Sequence, residues 1–265
     1  MTIGGSVVSP ALLPLLCAGL LACGADAADA QPGGSYLCQP VYELDDQFRG
    51  PTEPYVPQPG DIMLSTDANP IWKVLFMCAW TDHPHHSAIV VKRADGRTAI
   101  LESGPHDTLH VELLDPVSHL KSYHDKGQVW IRKRRHPLTP EQCERLTAFA
   151  ERANHKRFAM FRLAGQLTCL RCRGPLRTEY MGGPHGERDS YFCCELLMEA
   201  CVAGGLVDPK TARPSATYPR DVFFDQSLNR WVNQHLNLSA DWHPPSRWID
   251  RPISRPRLGE PIPVN

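Results

Sequence analysis

Two adjacent thiols, an imidazole and a carboxylate are the groups of this chain whose types and spacing suit nucleophilic chemistry: Cys193, Cys194, His86 and Glu102. The thiols open a stretch, Asp189 to Gly205, that reads as a helix. Leu196, Leu197, Ala200, Cys201 and Gly204 recur at helical spacing, Glu195 and Glu199 stand four apart on another face, and Gly204-Gly205 supplies the stop. Both thiols therefore fall in a first helical turn. Unpaired backbone N–H groups and the positive end of the helix dipole favour a thiolate there. Two small buried residues opening a core helix would produce the same pattern, because free cysteine is among the most buried residue types.

A thiol needs a base, and the base needs something to hold it. His86 ends a polar, histidine-containing run, Asp82-His83-Pro84-His85-His86, and leads into the β-branched Ile89-Val90-Val91, which places it at the mouth of a strand. The turn Asp95-Gly96 joins that strand to Thr98–Ser103, which carries Glu102. Neighbouring strands of a hairpin bring the two side chains onto one stretch of sheet, so an imidazole bonded to a carboxylate is geometrically reasonable. The alternatives are a solvated histidine run, a Glu102 that faces water, and His106 or His110 in the third role.

The elements around these groups read as α+β. Pro59-Gly60-Asp61 is a turn before a short buried strand, Ile62–Ser65, and Asn69–Trp80 suits a short helix with Ile71, Val74, Leu75 and Cys78 on one side. Thr108–Leu113 adds a third meander strand, Asp115–Tyr123 a helix over the sheet edge, and Gln128–Arg132 a further strand. Thr139-Pro140-Glu141-Gln142 opens a helix to Asn154, with Leu146, Phe149, Ala150 and Ala153 buried, and Phe158–Leu167 is helical again. Residues 168–190 read as loop, and Pro219–Val232 as a helix packing Val222, Phe223, Leu228 and Trp231.

The flanks differ from this body. Residues 1–30 carry an apolar run over 6–22 broken by Pro10 and Pro14, which resembles an export leader. Leu20-Leu21-Ala22-Cys23 has the form of a lipobox, giving membrane attachment through a lipidated Cys23, whereas Ala25-Asp26-Ala27 and Ala28-Asp29-Ala30 have the form of ordinary cleavage sites. Residues 31–57 read as a Pro- and Gly-rich linker, 58–240 as the folded domain, and 241–265 as a Pro- and Arg-containing tail lying extended on the surface.

Four motifs in register carry a resemblance: Pro59-Gly60-Asp61-Ile62, His86-Ser87-Ala88-Ile89-Val90-Val91, Ile100-Leu101-Glu102-Ser103 and Tyr191-Phe192-Cys193-Cys194-Glu195-Leu196-Leu197. Together they resemble the YiiX-like group of permuted papain-fold cysteine hydrolases within the broad NlpC superfamily, in which histidine precedes cysteine along the chain. The resemblance spans roughly residues 58–225. It implies a permuted papain-like fold, an antiparallel sheet or small barrel packed against helices, with the nucleophile at a helix N-terminus. It also implies Cys193 as nucleophile, His86 as general base, Glu102 as the residue orienting the ring, and no cofactor. Cys194 stands where the group has serine, and the segment with Cys169 and Cys172 lies outside its pattern.

Composition narrows the alternatives. A net charge of -1 argues against a protein that works by coating nucleic acid, the local run Arg132–Arg135 notwithstanding. Of ten cysteines, Cys169 and Cys172 with His185, Cys193 and Cys194 form a conceivable structural zinc module, at poor spacing; a Cys169–Cys172 link would suit an oxidising compartment. A non-catalytic binding module of the same fold is the other alternative. The reading carried forward is an exported cell-envelope hydrolase acting on a peptide, peptidoglycan or lipid, with Trp72, Trp80 and Trp130 as aromatic candidates for its cleft.

Overall fold

Alternation along the strands decides which side of the sheet each residue of the site occupies. The computed structural model describes residues 34–40, 52–66, 70–105, 108–184 and 186–252. Its strands are β1 (Tyr36–Pro40), β2 (Glu53–Pro54), β3 (Ile62–Ser65), β4 (His86–Lys92), β5 (Thr98–Ser103), β6 (Val111–Leu114), β7 (Val129–Arg132), β8 (Arg157–Phe158), β9 (Ser190–Tyr191) and β10 (Ser246–Ile249). Eight of them form one sheet in the order β2-β1-β10-β7-β3-β4-β5-β6, every neighbouring pair antiparallel. β8 and β9 pair separately in parallel.

The helices are α1 (Pro70–Cys78), α2 (Pro116–His124), α3 (Pro140–Ala153), α4 (Met160–Gln166), α5 (Pro175–Met181), α6 (Cys193–Ala203), α7 (Pro219–Phe224) and α8 (Arg230–Asn233). Ile62, Leu64, Ile89, Val91, Leu101 and Trp130 point to the face covered by α3 and α6. Their strand neighbours Met63, Ala88, Val90, Ile100, Val129 and Ile131 point to the opposite face, where α2 contributes Leu120 and Tyr123. Period-two alternation thus gives one sheet two cores. Thr139 caps α3 as its sequence requires: its Oγ1 accepts from Gln142 N while its own N–H donates to Gln142 Oε1 at 3.0 Å.

The turn before β3 is held by a buried carboxylate. Gly60 has φ +92, where a side chain would be strained, and it delivers Asp61 into the interior. Asp61 accepts from Tyr55 Oη at 3.0 Å, from Gln58 N at 3.1 Å and from Arg134 N at 2.7 Å, tying the segment before β3 to the end of β7. Burial pushes its pKa up to about 6, against the pull of those donors.

Four expectations are corrected. The linker over 31–57 and the tail over 241–265, expected to run extended over the surface, each contribute a sheet strand where they are described: β1 and β10 pair with each other, and β10 also pairs with β7. Leu37 and Trp248 are fully buried, so the folded domain extends beyond 58–240 on both sides. Pairing so distant in sequence leaves no local periodic signal to read. The loop over 168–190 contains α5, which Gly174 at φ 87 and Pro175 at the first helical position introduce. The single helix over Pro219–Val232 is two, α7 and α8, broken where Asp225 adopts a left-handed φ of 53 and its carboxylate accepts the N–H groups of Leu238 and Ser239. Leu228, expected to pack, is exposed. Finally, among the described side chains of α1 Phe76 is buried, as is Ala79 just beyond, while Val74 and Cys78 are exposed. The leader with Cys23, like His106 and His185, lies outside the described residues.

The position of β10 gives a direct test. Trp248→Ala should destabilise the protein by about 3–5 kcal/mol in urea unfolding, the range for truncating a large buried aromatic. A surface tail would give a change within about 0.5 kcal/mol.

Candidate active site

The first residue of β4, the fifth of β5 and the first of α6 meet at one end of the sheet. His86 and Ser65 are partners in the β3–β4 register, and Glu102 lies two residues beyond Ile100, the partner of Val90 in β4. His86 and Glu102 therefore share the face that α2 covers. His86 Nε2 lies 2.9 Å from Glu102 Oε1. The ring stacks on Tyr123 at 5.7 Å with 14° between planes and is hydrogen-bonded to Cys193.

Glu102 is fully buried, and its carboxylate is held from two elements. Tyr123 Oη donates to Oε1 at 2.6 Å and His119 Nε2 contacts Oε2, both from α2. Asp115 sets the start of that helix by accepting Ser118 N at 3.0 Å, with Pro116 at its first position. Burial alone would push Glu102 up, but His86 and His119 hold it well below the usual carboxylate range. Conversely, burial would lower His86, and Glu102 and Cys193 beside it hold the imidazole well above its ordinary value. Each partner thus favours the charged form of the other, paired as a buried charge must be.

The thiol helix starts at Phe192 with no side-chain cap, so its first N–H groups keep their donors for another partner. Its approach is fixed from two sides: Ser103 Oγ donates to Tyr191 O at 2.6 Å and Ala159 N donates to the same oxygen at 2.9 Å. Ser103 is one residue past Glu102 and so points to the opposite face, toward α6. Behind the first turn, Glu195 is fully buried and binds Arg188 at 2.5 Å, Arg162 at 2.8 Å and Ser215 Oγ at 2.7 Å, while Arg188 also meets Glu199 at 3.0 Å.

The two thiols have different surroundings. Cys193 retains 5% of its surface and meets His86. Cys194 retains 1%, with Ser87 against it from the α6 side of β4. Burial pushes the Cys194 thiol well above its ordinary value, and Cys193 and Asp221 add to that. A buried thiol of raised pKa is a poor nucleophile near neutral pH.

Of the sequence-derived residues, Cys193, His86 and Glu102 are brought together. His110 is exposed and apart from them. His119, Tyr123 and Ser103 were not anticipated; Ser103 adjoins Glu102 in the quoted motif, but no local pattern marks the α2 residues as partners of a strand. Trp130 is core rather than cleft, and Trp80 is exposed. Cys169 is an exposed free thiol and Cys172 a buried one that accepts Gln166 Nε2 at 3.1 Å, so the two are not linked. Neither belongs to a cluster of metal-ligating side chains; among the described residues that description fits Asp82, His83 and His85, on the loop entering β4.

No family model matches the chain, and no curated protein does. Among solved structures it is similar to the crystal structure of metalloprotein yiiX from Escherichia coli O157:H7, at 18% identity and a TM-score of 0.38, over 57% of this chain and 67% of that one. The chemistry of the site stands on its side chains.

The depressed pKa of Glu102 fixes a sign. Its ionic partners stabilise the fold above the ordinary glutamate value of 4.5, and that contribution is lost as pH falls below it toward the folded value. Glu102→Gln should therefore cost of the order of 3 kcal/mol at neutral pH. The gap to wild type in urea unfolding should narrow steadily as pH falls below 4.5; a gap independent of pH would contradict an ionised Glu102.

Proposed function

We propose that the chain is a cysteine hydrolase of the permuted papain-like type, cleaving an amide or acyl bond through an acyl-enzyme. The observation that carries this reading is the chain of contacts from Cys193 at a helix start, through His86, to the fully buried Glu102. A sulfur in the first turn of a helix with an imidazole beside it is the arrangement that nucleophilic thiol chemistry requires.

In the proposed reaction Cys193 Sγ attacks the substrate carbonyl carbon. The oxyanion is met by the uncapped N–H groups of the first turn of α6. His86 then donates its proton to the departing nitrogen or oxygen, leaving a thioester on Cys193. Water, losing a proton to His86, attacks the thioester and releases the acid; transfer to another nucleophile at this stage would be acyl transfer. Glu102 holds the ring in place and balances its charge, and Tyr123 stacks on it. The substrate class is proposed as peptide, peptidoglycan or lipid, at the cell envelope after export, consistent with the leader-like residues 1–30 and the lipobox-like approach to Cys23. A binding module would keep the fold but have no use for a buried carboxylate behind a histidine–thiol contact.

The test separates the two thiols. With an electrophilic thiol probe at neutral pH, Cys193→Ala should lose rapid labelling while Cys194→Ala keeps it, both remaining folded by circular dichroism. His86→Ala should slow labelling by about a hundredfold or more. Fast labelling that survives Cys193→Ala and vanishes with Cys194→Ala would overturn the assignment. Incubation with peptidoglycan fragments and with acyl lipids, products read by mass, then identifies the bond cleaved.

A further inference from the structure

The loop that delivers His86 carries a second set of functional groups that the thiol chemistry does not use. Asp82, His83 and His85 each present one ligand atom, and those atoms all lie within 4.8 Å of one another. Asp82 Oδ1 is 2.7 Å from His83 Nδ1 and also accepts the backbone N–H of His83. The His83 and His85 rings meet edge to face at 6.1 Å, and Phe76 of α1 packs on His85 at 5.1 Å. His85 is buried, its backbone N–H donating to Ser65 O at 3.0 Å, so one ligand is anchored to the sheet. His83 and Asp82 keep 31% and 45% of their side-chain surface and so have room to rotate.

We propose that Asp82, His83 and His85 form a binding site for a divalent transition metal of the zinc class, separate from the Cys193–His86–Glu102 group. Two imidazoles and one carboxylate are a ligand set for such ions and not for magnesium or calcium, which take oxygen ligands. Around a tetrahedral ion, ligand atoms at about 2.0–2.2 Å from the metal stand roughly 3.3 Å apart. The ligand atoms, all within 4.8 Å of one another, would close to that spacing around an ion. Arg220 lies 3.9 Å from Asp82 Oδ2, and an ion at Oδ1 would take the place of the Oδ1 contact with His83 Nδ1. Three protein ligands leave the fourth position to water, on the side where Asp82 and His83 are partly exposed. The ion would pin the 82–85 loop one residue before His86. This departs from the expectation that the chain takes no metal, and it does not depend on the proposed hydrolase reaction.

The experiment uses Cys193→Ala protein, so that a thiolate–imidazole pair cannot supply a rival zinc site. Zinc titrated calorimetrically should bind with one equivalent and micromolar affinity, while magnesium and calcium should not bind in that range. Cobalt in place of zinc should give visible d–d bands without a sulfur charge-transfer band. His83→Ala, at a partly exposed position, should fold normally and weaken zinc binding about tenfold or more, as should Asp82→Ala; His85→Ala is read only if its circular dichroism matches the parent. Zinc binding unchanged by His83→Ala and Asp82→Ala, or no uptake below millimolar zinc, overturns the proposal. Probe labelling at Cys193 in otherwise wild-type protein is measured in parallel, so a failure of the thiol assignment is read independently.

Discussion

A negative charge sealed inside the fold sets the terms for everything around it. Glu102 has no solvent, so its cost is offset only by groups the protein itself supplies: His86 from the adjacent strand, His119 and Tyr123 from α2. An unpaired carboxylate in that place would cost several kcal/mol, so the helix must sit where it does over the sheet. With both oxygens of Glu102 engaged, the His86 ring has one ionic partner behind it and the Cys193 sulfur before it. Orientation of the ring follows from the charge, and the stacking of Tyr123 on it removes the remaining rotational freedom.

The sheet's two-residue period then divides labour between its faces. His86 and Glu102 share one face with α2, whereas Ser87 and Ser103, one residue further along each strand, turn to the face of α6. Ser103 positions the approach to the thiol helix through Tyr191 O, and Ser87 abuts Cys194. A one-residue slip of either strand would exchange these roles and bury the wrong groups. The end of the sheet, where His86 leaves the regular ladder, is where an imidazole from one face can reach a sulfur carried on the other.

Much of this was legible in the sequence. A polar histidine run opening a β-branched strand, a carboxylate in the following strand and cysteines before an apolar helical pattern are local signals, and strands β3 to β7, helices α1 to α4 and α6 follow from local patterns of the same kind. The identity of the residues behind Glu102 was not legible, because His119 and Tyr123 read simply as one face of a surface helix. Nor were β1 and β10: each is a short extended stretch among prolines, and only its partner makes it a strand. The break between α7 and α8 depends on Asp225 caring for backbone donors thirteen residues away, which composition does not announce. The resemblance had already put Cys193 ahead of Cys194, and what stands against each sulfur adds a physical ground for that choice.

The pairing of β1 with β10 also has a meaning in time. Ser35 Oγ accepts Trp248 Nε1 across 213 residues, and β10 lies between β1 and β7, so the strands on that side cannot dock until the last of them is available. The meander β3–β4–β5–β6 is built from neighbours in sequence and can form early, but the sheet stays half-built, with the β7 edge open, until β10 is available. A protein assembled in this order closes its sheet late. His86 and Glu102 reside on the early half, while the closing of the sheet is held by β10.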